Sequence, residues 1–346
     1  MTGKRLLYVG PLIEGSTTVQ RLNAFRSAGC KVRTVSTAAT RGKKPNRPSL
    51  LQRLRRRLFG PVDYADANGK ILAAMRSEPF DVVWIDKGLT IRPETLRGIG
   101  AVQPACRIVG FSPDDMMNRA NQSRNFLRGL SLYHCFVTTK SYNVTELRQL
   151  GCPRTLFMDN AYDPGTHRPV ELTSGDRDRL GGPVGFIGQW EPERAESMRK
   201  LALAGIPVRV WGYTWERMKN APALLRLENQ PLWGDDYARG LCAFGINLCF
   251  LRKCNRDLQT TRTMEIPACR AFMLAERTEE HQRLFAEGKE AEYFASDHEL
   301  LEKVRFYLAH EEKRLRIARG GYEKCLRGGY SYQERLTRVL DELLKS

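Results

Sequence analysis

Short apolar runs of strand type recur along the whole chain, and helical segments separate them. KRLLYVG (residues 4–10) opens the series, and a helix is predicted over 17–28, closed by Gly29. KVRTVST, DVVWIDKG, CRIVGFSPDD, HCFVTTK and RTLFMDNAYDP continue it. Runs about 20 to 50 residues apart, with helices between them, predict a parallel sheet covered by helices. After a polar stretch at 164–182 the pattern restarts: GPVGFIG as a new first strand, ESMRKLALAG as a helix, IPVRVWG as a second strand, then INLCFL, CRAFMLA and AEYFA. The chain therefore reads as two α/β domains in tandem, without a close sequence repeat.

At 346 residues there is enough chain for two such domains, each with its own core. No run of 18 apolar residues predicts a membrane-spanning helix, and the four-residue apolar stretch before Gly10 is too short for a signal-peptide core. Nine scattered cysteines show no Cys-x-x-Cys spacing, which predicts free thiols in a reducing, cytoplasmic setting. They and five dispersed histidines offer no clustered ligand set, so no metal is expected.

Residues 1–57 carry 14 Lys or Arg against one acidic residue, Glu14, which places +13 (14 − 1) of the net +17 there. Such asymmetry favours an anionic partner: nucleic acid, anionic lipid or a phosphorylated substrate. The segment LLQRLRRRLF (50–59) is basic and partly amphipathic, suited either to an anionic membrane surface or to solvent. Against nucleic acid, Tyr8 and Phe25 are the only aromatic residues in 1–57, too few for a stacking platform.

In open parallel sheets, ligands bind beyond the carboxyl ends of the strands. Two loops there have the composition to approach a phosphate. GPLIEGSTT follows the first strand, with Gly15 for a tight turn and Ser16 before a helix; these two residues are expected on the acceptor side. VGFIGQWEPER holds the equivalent place in the second domain, with Gly188, Gln189 and, in the first turns of the next helix, Arg194.

TRTMEIPACRAFML (261–274) is the most unusual stretch. Pro267 is best tolerated in the first turn of a helix, so Glu265-Ile266-Pro267-Ala268 is read as a helix start. A carboxylate there gains from the helix dipole and can accept hydrogen bonds from two adjacent sugar hydroxyls. Arg262 and Thr261 lie just upstream, and the arginine would suit a diphosphate. The same glutamate could equally serve only as a cap.

The pieces VGFIGQWEPER, LWGDDYARGLCAFGINLCF, the long run from DLQTTRTMEIPACRAFML to RIARGG, and the YSYQER tail resemble, in consistent order over about 160 residues, the carboxy-terminal half of glycosyltransferases of the GT-B fold. They are most similar to the branch that includes spore maturation protein CgeB. The amino-terminal half is similar only through its first strand and the SPDDM segment.

The resemblance implies two Rossmann-like domains with parallel sheets facing across a central cleft. The expected division is an acceptor domain over 1–165, a linker over 166–182, a donor domain over 183–330, and a C-terminal helix over 331–346 packing back toward the first domain. It implies a nucleotide-diphosphate sugar as donor, with Glu265 on the ribose and Arg262 and Arg194 on the diphosphate. Asp257, eight positions before Glu265, matches a residue that faces the transferred sugar in retaining relatives, where it is usually glutamate. Transfer without a metal or other cofactor is expected, because arginines and helix N-termini can stabilise the leaving diphosphate. Asp114 or Asp115, after GFSP, would bind an acceptor hydroxyl or act as base.

Arg270 departs from the family, which usually has glycine there. Three readings stand open: a regular helix with Arg270 in solvent, an arginine that enters the cleft and alters donor handling, or loss of activity. Three other functions also stand open: a non-catalytic nucleotide-sugar binder, a sugar-nucleotide epimerase and a nucleic-acid-binding protein, the last disfavoured by the missing aromatics.

Overall fold

The computed structural model describes residues 2–39 and 60–345. The basic segment 50–59 lies outside the described residues. The chain forms two compact units: Met1–Asp159 with Tyr332–Ser346, and Asn160–Ser331.

In the first unit six parallel strands run in the order β2-β1-β3-β4-β5-β6. They are β1 (Arg5–Gly10), β2 (Lys31–Ser36), β3 (Val82–Asp86), β4 (Arg107–Ser112), β5 (Cys135–Thr138) and β6 (Thr155–Phe157). Helices α1 (Thr17–Ser27), α2 (Ala67–Ser77), α3 (Pro93–Val102), α4 (Arg124–Gly129) and α5 (Asn143–Gln149) join them. The period-two alternation of strands divides the core. Leu7, Val9, Val83, Ile85 and Ile108 pack with Ile71 and Met75 of α2 and Leu96 and Ile99 of α3. Tyr8, Trp84 and Phe111 instead meet Phe25 of α1 in a chain of ring contacts 5.0–5.9 Å apart.

A charged group is sealed beneath that chain. Arg21 and Asp86, 1% and 0% exposed, form an ion pair at 2.7 Å. The Tyr8 hydroxyl lies 2.8 Å from the same carboxylate oxygen. The Arg21 guanidinium also covers the rings of Phe111 and Tyr332, at 4.5 and 5.6 Å. Tyr332 begins α13 (Tyr332–Leu344), so the last helix of the chain packs in the first unit, against α1.

The second unit repeats the design with strand order β12-β11-β10-β7-β8-β9, again all parallel. These are β7 (Gly182–Ile187), β8 (Val208–Trp211), β9 (Leu225–Leu227), β10 (Phe244–Cys249), β11 (Met273–Glu276) and β12 (Glu292–Phe294). Its helices are α6 (Ser174–Leu180), α7 (Pro192–Leu203), α8 (Gly234–Ala243), α9 (Arg262–Ala268), α10 (Glu279–Leu284), α11 (Asp297–Ala309) and α12 (Glu311–Gly328). Cys249, Met273 and Ala275 face α8 and α9, while Ile246, Leu248 and Leu274 face α7, α11 and α12. β9 joins the edge as a three-residue strand for which sequence periodicity gave no sign.

All nine cysteines are free. No helix among the described residues is long and apolar enough to cross a membrane.

Candidate functional site

The loops at the carboxyl ends of β7, β8 and β9 are stitched together through main-chain groups. The Gly188 N–H donates to the carbonyl of Trp211 (2.8 Å), the Trp190 N–H to that of Tyr213 (3.2 Å), and the Gly212 N–H to that of Gln230 (2.9 Å). The approach is close: a Cβ at Gly212 would lie 2.0 Å from the Gly188 oxygen, so only glycine fits there. Trp215 closes the turn by donating its indole N–H to the Gly188 carbonyl at 2.8 Å.

A cluster of arginines gathers over this turn. Arg194, in the first turn of α7, is only 3% exposed. It donates to the main-chain carbonyls of Gln189 and Leu251, at 3.2 and 3.1 Å. Glu191 bridges it to Arg252, with contacts of 3.2 and 2.8 Å. Burial, and then the like charge of Arg262, push the Arg194 guanidinium down to about 10. Arg262, at the start of α9, reaches the same place: a Cβ on Gly188 would lie 3.2 Å from its Nη1. Among the described residues Arg262 has no carboxylate partner, and the Nε groups of both Arg194 and Arg262 are buried without an acceptor. Unsatisfied buried donors are costly, and an anion is the kind of group that would offset both the charge and the open donors.

One turn further along α9, Glu265 is 5% exposed. The Tyr237 hydroxyl of α8 donates to its Oε2 at 2.5 Å, and His167 Nε2 stands 3.7 Å from its Oε1. Burial, then the Glu265 charge, hold the Tyr237 phenol well above its ordinary pKa, so it stays a donor.

The α9 start differs from the sequence expectation. The helix begins three residues earlier, at Arg262, with Thr261 as the half-exposed N-cap residue that makes no side-chain cap. Glu265 stays in the first turn, but Pro267 falls in the second. The helix is seven residues long, so the missing Pro267 N–H removes a single bond, the one that would reach the Thr263 carbonyl.

The structure defines the backbone at Arg270. It is not part of a regular helix. It adopts φ +55°, is exposed, and follows the C-cap Cys269. The Arg270 N–H bonds the Pro267 carbonyl (2.8 Å) and the Ala271 N–H that of Ile266 (3.2 Å), the paired bonds of a Schellman motif. The backbone keeps the left-handed shape that glycine favours, with an arginine side chain turned outward.

Asp257 is buried in a separate hydrogen-bond group. It accepts from Asn255 Nδ2 at 2.7 Å and from the Arg252 N–H at 3.4 Å. Gln189 is exposed, and its contribution here is the carbonyl that Arg194 binds. Asp235 and Asp236 lie in the first turn of α8 and pair with Arg168 and Arg179.

The remaining expected residues lie in the first unit. Gly15 has φ +74°, and Ser16 caps α1 by accepting from the Val19 N–H at 3.4 Å. Asp115 is locked, accepting from the Met117 N–H (2.9 Å) and Asn143 (3.0 Å). Asp114 is freer, paired with Lys87 at 2.6 Å beyond the end of β4. Among the described residues no group of three or more His, Cys, Asp or Glu is placed to hold a metal ion.

Tyr237 and His167 had no signal in the sequence. Each meets Glu265 only through the fold, and His167 sits in a Pro- and Gly-containing stretch with no periodicity.

A sequence model described as glycosyl transferase-like matches residues 194–341. No curated protein matches the chain in sequence. Solved structures match it over nearly its whole length. A sucrose-phosphate synthase from Thermosynechococcus elongatus superposes with a TM-score of 0.65 at 12% identity, covering 99% of each chain. Anabaena HepE, in complex with UDP and glucose, gives 0.63 at 11%, covering 99% of this chain and 100% of that one. A glycosyltransferase from Rickettsia africae gives 0.64 at 10%, covering all of both. The architecture is thus of the GT-B type: two Rossmann-like units, each with a parallel sheet.

Proposed function

We propose that this chain is a glycosyltransferase that uses a nucleotide-diphosphate sugar as donor, with the second unit holding the nucleotide. The observation that carries the reading is Arg262, a cation with no carboxylate partner among the described residues, set beside Gly188 at the end of β7. Buried Glu265 stands one turn away on the same helix. An anion with a diol attached at short range is the ligand that suits both. Arg262 and Arg194 would take the diphosphate and Glu265 the ribose hydroxyls. Tyr213 and Trp233, 54% and 55% exposed on two loops that the Gly212–Gln230 bond joins, offer ring faces to a base.

Charge grows on the diphosphate as the sugar–phosphate bond breaks. Donors already fixed around it lower the barrier without reorganising, and arginines can do this in place of a metal ion. Asp257 would face the sugar in a retaining transfer. On the acceptor side, Asp114 fits the base role better than Asp115, whose carboxylate is already held by Met117 and Asn143. A lipid-linked or phosphorylated acceptor near an anionic membrane face would suit the basic residues 1–57. Co-sedimentation with vesicles of rising anionic-lipid content tests that placement.

The donor reading is tested by a thermal-shift screen of nucleoside diphosphates and their sugars, followed by transfer assays. Stabilisation by at least one diphosphate is expected. Glu265→Ala should weaken its binding by roughly ten- to a hundredfold, the worth of one or two hydrogen bonds to a charged group. Absence of binding by every diphosphate would overturn the proposal. Binding without transfer or donor hydrolysis would reassign the chain as a nucleotide-sugar-binding protein.

A further inference from the structure

We infer that Tyr237 and His167 are positioning residues, which hold the Glu265 carboxylate in the orientation that reads a vicinal diol; this rests on the donor reading above.

A carboxylate with 5% exposure is costly to bury unless its oxygens meet hydrogen-bond donors. Glu265 has one on Oε2, the Tyr237 hydroxyl at 2.5 Å, and His167 Nε2 stands 3.7 Å from Oε1, beyond direct bonding range but close enough to orient it electrostatically. The histidine presents a defined face. Its Nδ1 accepts the Asp163 N–H at 3.0 Å, so the neutral ring carries its proton on Nε2, toward the glutamate.

The segment that carries the histidine is itself held in a tight turn. The His167 and Thr166 N–H groups donate to the Asp163 carbonyl at 2.7 and 3.1 Å, and the Thr166 hydroxyl donates to the Asp163 side chain at 2.8 Å. The two rings also meet edge to face, with centroids 5.6 Å apart. Glu265 therefore has little freedom to rotate. A carboxylate has about four acceptor sites, so each oxygen keeps capacity for one incoming hydroxyl. Two hydroxyls on adjacent carbons match that spare capacity, and a single hydroxyl leaves half of it unfilled.

This role makes a demand that simple burial of Glu265 does not. Removal of a positioning residue should cost affinity for a ribonucleotide more than for its 2′-deoxy form. A merely structural contact should cost both equally.

The experiment is calorimetric titration of the intact chain with the tightest binder among UDP, GDP and ADP, beside its 2′-deoxy counterpart. The unaltered protein should prefer the ribose form by roughly tenfold. Tyr237→Phe should cut that preference to about threefold or less, with little change in affinity for the deoxy form. His167→Gln, which keeps an N–H donor, should retain most of the preference, and His167→Leu should lose it. The His167 pair keeps the test valid if Tyr237→Phe fails to fold. Equal losses for both nucleotides, or a full preference retained in Tyr237→Phe and His167→Leu, would overturn the inference. So would tight binding by the unaltered protein with no ribose preference, which would leave the donor reading standing. Absence of binding by any of the diphosphates would overturn both.

Discussion

Arg194 and Arg262 share one ring: each guanidinium carbon lies 5.3 Å from the centroid of Phe186. The aromatic face offsets part of the cost of placing two like charges together, but among the described residues Arg194 has only Glu191 as a carboxylate partner, shared with Arg252, and Arg262 has none. Under the proposed donor reading, a bound diphosphate relieves this repulsion. Pyrophosphate alone should therefore raise the melting temperature by a few degrees, about 2 °C for each kcal/mol of binding. Arg262→Met should abolish that shift while leaving the ligand-free melting temperature equal or higher. A clear drop in ligand-free stability would show that Arg262 serves the fold instead.

Arg270 holds a backbone shape that costs an L-residue about 1 kcal/mol or more. Arg270→Gly should therefore stabilise the protein by about 1 kcal/mol, read from urea midpoints. Arg270→Ala should give no gain, because alanine keeps the Cβ that opposes φ +55°. If glycine were destabilising, the exposed arginine would be making a contact worth more than the backbone strain.

His281 lies under the same helix. Its Nδ1–H donates to the Glu276 carbonyl at 2.7 Å, and its Nε2 accepts from the Thr263 hydroxyl at 2.8 Å. Burial pushes its pKa down to about 4, against the opposing bond to Glu276. An unfolded histidine takes up its proton near pH 6.5. Between about pH 6.5 and 4 the unfolded chain binds a proton that the folded chain refuses, so stability falls as pH falls through that window. Urea denaturation across it should show this slope, and His281→Asn should flatten it while lowering the plateau.

The ion pair of Arg21 and Asp86 is the other buried charge with a clear consequence. Arg21→Met or Asp86→Asn should each destabilise the protein by about 3–5 kcal/mol, since one charge is stranded. The double variant should cost less than the sum. A cycle of urea midpoints measures the coupling.

How far the sequence could be read follows the range of each interaction. Strand runs such as LLYVG and GPVGFI announced themselves, because burial on both faces demands continuous apolar residues. β9 did not, since three residues at a sheet edge carry no periodicity. Local rules put Pro267 in a first turn, whereas the helix starts at Arg262 and the proline closes it. The family resemblance marked Arg270 as standing where relatives have glycine, but its left-handed φ emerged only with the fold. Tyr237 and His167 stand 28 and 98 residues before Glu265, and no local pattern links them to it. The Arg21–Asp86 pair spans 65 residues in the same way.

The membership of α13 in the first unit has a temporal consequence. Residues 160–331 form a continuous stretch that can close on itself while the ribosome is still at work. The first unit cannot: Tyr332, which covers Arg21, and Arg335, paired with Asp159 at 2.9 Å, emerge only after that stretch. A nascent chain stopped near residue 330 would carry a finished second unit and an unfinished first one. A premature stop there would thus act on the half of the protein that was made first.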